Sequence, residues 1–185
     1  VIGLGYIGLP TAAVLASRNV MVIGVDVNQN VVDIINQGKI HIIEPELDIL
    51  VQSSVQSGNL KATTRPENAN VFMIAVPTPF KGTHEPDLSY IESAAKSIAP
   101  ILKKGNLVIL ESTSPVGTTE KMISWMKEER PDLAFPEFGN NSLDYDIAVA
   151  HCPERVLPGR VIHELIDNDR IIGGVTTRCG EQARN

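Results

Sequence analysis

Short apolar runs alternate along the chain with longer stretches in which apolar residues recur every three or four positions. The short runs predict strands, and several are continuously apolar, as expected for strands covered on both faces. Strands that alternate with helices favour βαβ units, so we expect an α/β protein with a doubly wound, mainly parallel sheet and helices on both faces. The predicted strands are Val20–Val25, Leu60–Thr64, Val71–Val76, Leu107–Leu110, Ile147–Ala150 and Arg170–Ile172.

The predicted helices lie between these runs, and the clearest of them is Leu88–Leu102, which has one apolar face. Asp87 stands directly before it, where its carboxylate can accept a hydrogen bond from a backbone amide of the first turn. The stretch Arg130–Asp144 is rich in Pro, Gly and Asn and predicts a loop. The predicted helices are Ile7–Arg18, Gln29–Gln37, Pro45–Ser57, Leu88–Leu102 and Thr118–Glu128.

The length of 185 residues suits one domain with its own core. Only Val1 and Ile2 precede the first glycine, whereas a strand usually has about five residues, so we expect the first strand to be cut. The polar stretch Thr176–Asn185 is expected to have no partner element and to begin a linker.

The composition argues against several classes of binding partner. The net charge of −6 argues against nucleic acid as a partner. No apolar run approaches the roughly 18 residues that span a bilayer, so we expect no membrane contact. The two cysteines cannot form a disulfide framework, which favours a cytoplasmic location, and we expect both to be structural. Cysteines and histidines show no paired spacing, so we predict no metal site.

A glycine pattern, G-x-G-x-x-G, opens the chain between a predicted strand and a predicted helix. In a dinucleotide site, Gly3 permits the tight turn, Gly5 lets a pyrophosphate approach the backbone, and Gly8 lets the helix pack closely on the sheet. The amides of Tyr6 and Ile7 would then bind the pyrophosphate at the start of the helix.

Asp26 ends the second predicted strand, 23 residues after Gly3. An acidic residue at roughly this spacing accepts hydrogen bonds from the hydroxyls of the adenosine ribose, and its charge repels a 2′-phosphate. No arginine follows within Val27–Gln29 to bind such a phosphate. The sequence therefore predicts a Rossmann-type site for NAD rather than NADP, and the alternative is a glycine turn that only joins a strand to a helix.

Three further loops with unusual residues follow predicted strands, at Pro77–Pro79, Glu111–Thr119 and His151–Gly159. Ligands of open parallel sheets bind beyond the carboxyl ends of the strands, so we expect these loops on one edge, facing the nucleotide. Ordinary turn chemistry is the alternative for each loop separately. Glu111 itself could be catalytic or could cap its own loop.

Four motifs carry a resemblance to a known family: VIGLGYIGLPT at 1–11, VPTP at 76–79, ESTSPVGTT at 111–119 and CPERVLPG at 152–159. With them the chain resembles the N-terminal, NAD-binding half of the UDP-glucose/GDP-mannose dehydrogenase family over essentially its whole length. The resemblance implies an NAD-binding domain over residues 1–174. It also implies that residues 175–185 begin a linker to a central helical, substrate-binding region absent from these residues.

Enzymes of this family oxidise the C6 alcohol of a nucleotide sugar to a carboxylate, using two NAD⁺ and a thioester on a cysteine. The resemblance implies that this chain supplies contacts to NAD, to the hydrolytic water and to the sugar. These contacts would come from Tyr6, Ile7, Asp26, Thr78 and Thr119 for NAD, Thr113 and Glu154 for thioester hydrolysis, and Arg155 and Val156 for the UDP-sugar substrate.

Pro158 stands where the wider family usually has a second Glu, which fits the acetamido-sugar branch. The stretches 79–82 and 152–174 resemble one member of that branch more closely, which implies UDP-N-acetyl-D-mannosamine as substrate. The family's catalytic Cys, Lys and Asn have no match in these residues. The resemblance also implies a homodimer and a role in making a surface polysaccharide. Two alternatives stay open: a related UDP-sugar or hydroxyacid-type dehydrogenase, and a non-catalytic NAD-binding or sensing module.

Overall fold

The computed structural model describes residues 1–82, 85–140 and 144–185, so His84 and part of the predicted Arg130–Asp144 loop lie outside the described residues. In the described parts, strands and helices alternate as the apolar pattern predicts. The strands are β1 (Val22–Val25), β2 (Leu60–Thr63), β3 (Val71–Ile74), β4 (Phe80–Lys81), β5 (Glu85–Pro86), β6 (Leu107–Leu110), β7 (Ala148–His151) and β8 (Gly173–Gly174). The helices are α1 (Gly8–Ser17), α2 (Gln29–Asn36), α3 (Leu47–Gln56), α4 (Ser89–Ile98), α5 (Thr118–Glu129), α6 (Val161–Asp167) and α7 (Thr177–Arg184).

One compact unit comprises Val1–Pro66 and Arg155–Asp169. Its strands β1 and β2 pair in parallel, and Ile2 adds a parallel bridge to Val25 just before the glycine pattern. The core is formed by one face each of α1, α2 and α3, together with β1, β2 and α6. Its fully buried side chains include Leu4, Leu9, Ile35, Leu47 and Val51.

A second compact unit comprises Glu67–Glu154 and Arg170–Asn185. Its sheet has the order β3-β6-β7-β8, in which the first three strands are parallel and β8 is antiparallel to β7. A separate two-stranded antiparallel pair is formed by β4 and β5. Fully buried side chains from the sheet, α4 and α5 form the core, among them Ile74, Ile91, Leu110, Met122 and Ile147.

Most predicted elements are confirmed within a few residues. The predicted helix Leu88–Leu102 consists of α4 followed by a 3₁₀ turn at Ala99–Ile101, where Pro100 lacks the amide that a continuing α-helix requires. The N-cap residue of α4 is Leu88, one residue after the predicted cap Asp87, although Asp87 Oδ1 still accepts a hydrogen bond of 2.9 Å from the Ser89 amide.

Two expectations near the end of the chain are wrong. The last strand is Gly173–Gly174, not Arg170–Ile172, and Thr176–Asn185 does have partners, because it contains α7 packed against β7 and β8. A Cβ placed on Gly174 would overlap the backbone nitrogen of Gly180, so only glycine allows this close packing. The predicted domain boundary after residue 174 stays a prediction.

Candidate functional site

The glycine loop connects the Ile2 bridge to α1. Gly3 has φ = 90°, a left-handed conformation that favours glycine, and its amide donates to Val25 O at 2.8 Å. A Cβ placed on Gly5 would meet no heavy atom within 4 Å, so open space lies in front of the loop. The helical bonding begins where the Leu9 amide donates to Gly5 O at 3.1 Å. The geometry is that of the predicted tight turn with room for a ligand against the backbone.

The amides of Tyr6 and Ile7 directly precede α1, and the amides at a helix start have no carbonyl partner within the helix. These free donors and the positive end of the helix dipole favour a bound anion such as a pyrophosphate. The loop therefore fits the phosphates of a dinucleotide.

Asp26 follows β1 and is held by backbone amides on both oxygens. Its Oδ2 accepts from the Leu4 amide at 3.1 Å, and its Oδ1 accepts from the Asn28 amide at 2.9 Å. Each carboxylate oxygen has a further lone pair to offer to a hydroxyl group. The fold thus fixes the carboxylate beside the glycine loop in the way that ribose recognition requires.

His41, which no sequence motif includes, lies close enough to Asp26 to interact with its charge. Burial lowers the pKa of His41 below its usual value, although Asp26 partly opposes this shift. The ring is therefore neutral at pH 7 and leaves the negative charge of Asp26 in place. No local sequence pattern pairs these two residues, which are brought together by the segment before α3.

In the second unit, the loops after β3, β6 and β7 share the carboxyl edge of the sheet, because these strands are parallel. Thr78 donates its hydroxyl proton to Thr113 O at 2.6 Å, and Ser112 donates to Val76 O at 2.6 Å. His151 Nε2 lies 3.3 Å from Ser112 O. The three loops therefore begin on one edge of this sheet, as predicted, while the expectation that they face the nucleotide stays a prediction.

The candidate catalytic residues lie on these loops. Glu154 follows β7, and its Oε1 is buried yet has no hydrogen-bond partner in the described part of the chain. Thr113 is exposed, and Thr119 lies in the first turn of α5, behind Gly117 at φ = 89°. A desolvated carboxylate oxygen with no partner is suited to bind a water or a substrate hydroxyl.

An ion pair that no local sequence pattern indicates lies at the same edge, between a buried carboxylate and an arginine side chain that is 31% exposed. Glu111 is 0% exposed and its Oε1 lies 2.5 Å from Nη2 of Arg170, which precedes β8. Arg170 Nε also donates toward Cys152 Sγ at 3.5 Å. Glu111 is thus a fully buried ion-pair partner of Arg170, and its two predicted roles, as a catalytic acid or as a cap of its own loop, stay predictions. Cys152 and Cys179 are both buried, as expected of structural thiols.

Arg155 and Val156 belong to the first unit, where Arg155 is exposed and Val156 is partly buried. The ion pairs found among the described residues do not include Arg155. Within the same described residues, no group of three or more His, Cys, Asp or Glu side chains could hold a metal ion. Nor do those residues include a helix with the length and apolar character needed to cross a bilayer.

Comparison with known proteins adds independent information. The model of the UDP-glucose/GDP-mannose dehydrogenase family, NAD binding domain, matches residues 1–185. A UDP-N-acetyl-D-mannosamine dehydrogenase from Campylobacter jejuni is 70% identical over 99% of this chain and 45% of its own. An NDP-N-acetyl-D-galactosaminuronic acid dehydrogenase from Ralstonia nicotianae is 63% identical over 100% of this chain and 43% of its own.

Among solved structures, UDP-D-ManNAc dehydrogenase from Pyrococcus horikoshii matches with a TM-score of 0.89 and 45% identity, over 100% of this chain and 42% of its own. Such neighbours confirm the Rossmann-type α/β fold, and the family model confirms NAD as the cofactor. The chain spans less than half the length of the curated relatives it matches. It belongs to the UDP-glucose/GDP-mannose dehydrogenase family, as the NAD-binding domain.

Proposed function

We propose that the protein carrying this domain oxidises C6 of UDP-N-acetyl-D-mannosamine to the carboxylate, with two NAD⁺ and one water. The balanced reaction converts R–CH₂OH, two NAD⁺ and H₂O into R–COO⁻, two NADH and three H⁺. The observation that carries the proposal is the Glu154 carboxylate oxygen, buried without a partner in the described residues, on the sheet edge that also bears Thr113.

Bound NAD⁺ supplies the hydride acceptor for both oxidations. The glycine-loop amides of Tyr6 and Ile7 bind its pyrophosphate, and Asp26 binds its adenosine ribose. Thr78 and Thr119 provide further cofactor contacts. The hydrogen bond from Thr78 to Thr113 O leaves the lone pairs of the Thr78 hydroxyl available as acceptors.

Thioester hydrolysis is the step to which this chain contributes catalytic side chains. A cysteine thiolate outside these residues adds to the aldehyde carbon, and oxidation of that adduct gives a thioester. Glu154 then accepts a proton from water as the water oxygen attacks the thioester carbon, which releases the thiol and the acid. Thr113 helps to hold that water.

The acetamido sugar is favoured by Pro158 and by the relatives, whose names specify UDP-N-acetyl-D-mannosamine or an NDP-N-acetyl-D-galactosaminuronic acid. Arg155 and Val156 contact the sugar side of the substrate. We further propose that the protein is cytoplasmic, acts as a homodimer and supplies an acidic sugar for a surface polysaccharide.

A substrate panel tests this function. The protein carrying this domain is incubated with NAD⁺ and UDP-N-acetylmannosamine, UDP-N-acetylgalactosamine, UDP-N-acetylglucosamine or UDP-glucose, and NADH is followed by absorbance. We expect the highest kcat/KM with UDP-N-acetylmannosamine. A preference for UDP-glucose would contradict the substrate assignment, and NAD binding without turnover of any sugar would favour a sensing module.

A further inference from the structure

The stretch that should contact the sugar leads directly into an exposed turn. Arg155 and Val156 are followed by Leu157–Arg160, all four of which are exposed, before α6 begins at Val161. Exposed loop residues outside helices and strands have few contacts that fix their backbone. Something else must hold this turn if Arg155 and Val156 are to have a defined position.

Glu44, from a distant part of the sequence of the same unit, holds this turn by hydrogen bonds. Its Oε2 accepts from the Gly159 amide at 2.8 Å, and its Oε1 accepts from the Val161 amide at 2.7 Å. Glu44 is only 4% exposed, and of these two charge-assisted bonds the one to Val161 is buried and the one to Gly159 is partly buried. A buried amide left without its acceptor would be strongly unfavourable, so both bonds favour a single turn conformation.

The carboxylate itself is fixed by the core. Ile42 and Leu47, on either side of Glu44, are buried in the hydrophobic core of the first unit. Ile162, which follows the second amide, is buried in the same core. Both sides of the Glu44 contact are therefore packed, and the turn between Val156 and Val161 is hydrogen-bonded to a rigid position.

Two features of the turn make the Glu44 contact specific. Gly159 has φ = 85°, which presents its amide to Glu44 in a conformation that favours glycine. The Leu157 amide donates to Glu164 Oε2 at 2.8 Å, so a second carboxylate, from α6, closes the other side of the turn. The turn is thus held locally by Glu164 and over a long range by Glu44.

We propose that Glu44 is a positioning residue for the nucleotide sugar. By hydrogen-bonding the Gly159 and Val161 amides, it holds the 157–160 turn so that Arg155 and Val156 meet the substrate in one conformation. This inference rests on the function proposed above. Glu44 does not touch the substrate.

The test compares Glu44→Gln with Glu46→Gln in the full-length protein. Glu46 lies on the same segment and contacts the same helix, through His163 at 3.6 Å, but it is exposed. An amide side chain keeps one acceptor oxygen, so Glu44→Gln loses one of the two bonds. We expect it to raise KM for UDP-N-acetylmannosamine by about 10- to 100-fold, with little change in kcat or in the Kd for NAD. Glu46→Gln should leave the KM for the sugar, kcat and the Kd for NAD unchanged.

Hydrogen exchange of the peptide covering residues 157–161 reports on the turn directly, and we expect faster exchange in Glu44→Gln only. Should Glu44→Gln fail to fold, Glu44→Asp keeps the charge with a shorter reach and should give a smaller rise in KM. An unchanged KM in an active, folded Glu44 variant would overturn this inference alone. A wild-type protein that oxidises no UDP-sugar would instead overturn the proposed function.

Discussion

Asp26 shows how much of a ligand site can be built before the ligand binds. Two backbone amides, from Leu4 and Asn28, orient its carboxylate, and the neighbouring His41 is neutral at pH 7. The side chain therefore needs no reorganisation to accept the ribose hydroxyls of the proposed NAD site, and its negative charge is not compensated by that ring.

We expect Asp26→Asn to raise the Kd for NAD by about 10- to 100-fold, because hydrogen bonds to a charged acceptor are worth about 1.5–3 kcal/mol. Isothermal titration calorimetry measures this change. Asp33→Asn, which removes the same charge from the exposed face of α2, should bind NAD normally. An unchanged Kd in Asp26→Asn would contradict the assignment of the ribose site.

Glu154→Gln removes the proposed base while keeping the size of the side chain. We expect the first oxidation to proceed and thioester hydrolysis to slow by about 100-fold or more, so that an acyl-enzyme accumulates in single-turnover experiments. Mass spectrometry of quenched samples detects the acyl group. Glu92→Gln, at a surface ion pair of α4, is the matched control. Equal slowing of both steps, without accumulation, would argue against Glu154 as the base.

At the scale of elements, Arg170 connects the segment before β8 to the loops after β6 and β7. Arg170→Met removes the cation beside the fully buried Glu111 carboxylate, and we expect it to lower the unfolding free energy by about 3 kcal/mol. Urea denaturation measures this loss. Adding Glu111→Gln should restore part of the stability, whereas Lys96→Met at a solvent-exposed pair should leave the unfolding free energy nearly unchanged. If the changes in unfolding free energy caused by Arg170→Met and Glu111→Gln simply add in the double variant, the coupling between the two side chains is contradicted.

The start of α4 has a measurable pH signature. The Lys81 ammonium, 2.8 Å from Asp87 Oδ1, and the bonds from Ser89 lower the pKa of Asp87 to about 2. Since the unfolded carboxyl titrates near 3.8, the stabilisation by this group is present above that pH and is lost as pH falls through about 2.

Lys81→Met should therefore move the pKa of Asp87 back toward 3.8, so that this carboxylate contributes less stability at neutral pH and less of it is lost in acid. An NMR titration of the Asp87 carboxyl carbon measures the shift. Lys104→Met, which removes the cation beside Asp146, leaves Asp87 unaffected if the local contact is the cause. A pKa near 2 in Lys81→Met would refute the assignment.

Local sequence patterns predicted the helices and strands well where the periodicity of apolar residues was strong. They failed where tertiary packing determines the secondary structure. The apolar face of α4 and the continuous run of apolar residues in β6 could be recognised from the local sequence alone. By contrast, α7 is polar apart from the buried Cys179, and β8 consists of two glycines. Neither has a periodic signal, because close backbone packing between Gly174 and Gly180 determines both.

For the molecule as a whole, the motif residues of the site could be located from the sequence, but their supports could not. Glu44 reaches amides 115 and 117 positions away, and Arg170 reaches Glu111 over 59 positions. A single sequence contains no local sign of such pairs. The signals available were a charged residue between apolar neighbours, as at Glu44, and a glutamate directly after a buried strand, as at Glu111.

The central claim is that this NAD-binding domain serves a four-electron oxidation of a UDP-acetamido sugar. It is tested most directly by the ratio of NADH formed to UDP-N-acetylmannosamine consumed, measured to completion in the full-length protein with the product identified by mass spectrometry. We predict two NADH per sugar and a product carrying a C6 carboxylate. One NADH per sugar with a released aldehyde or ketone, or no NADH at all, would contradict the account.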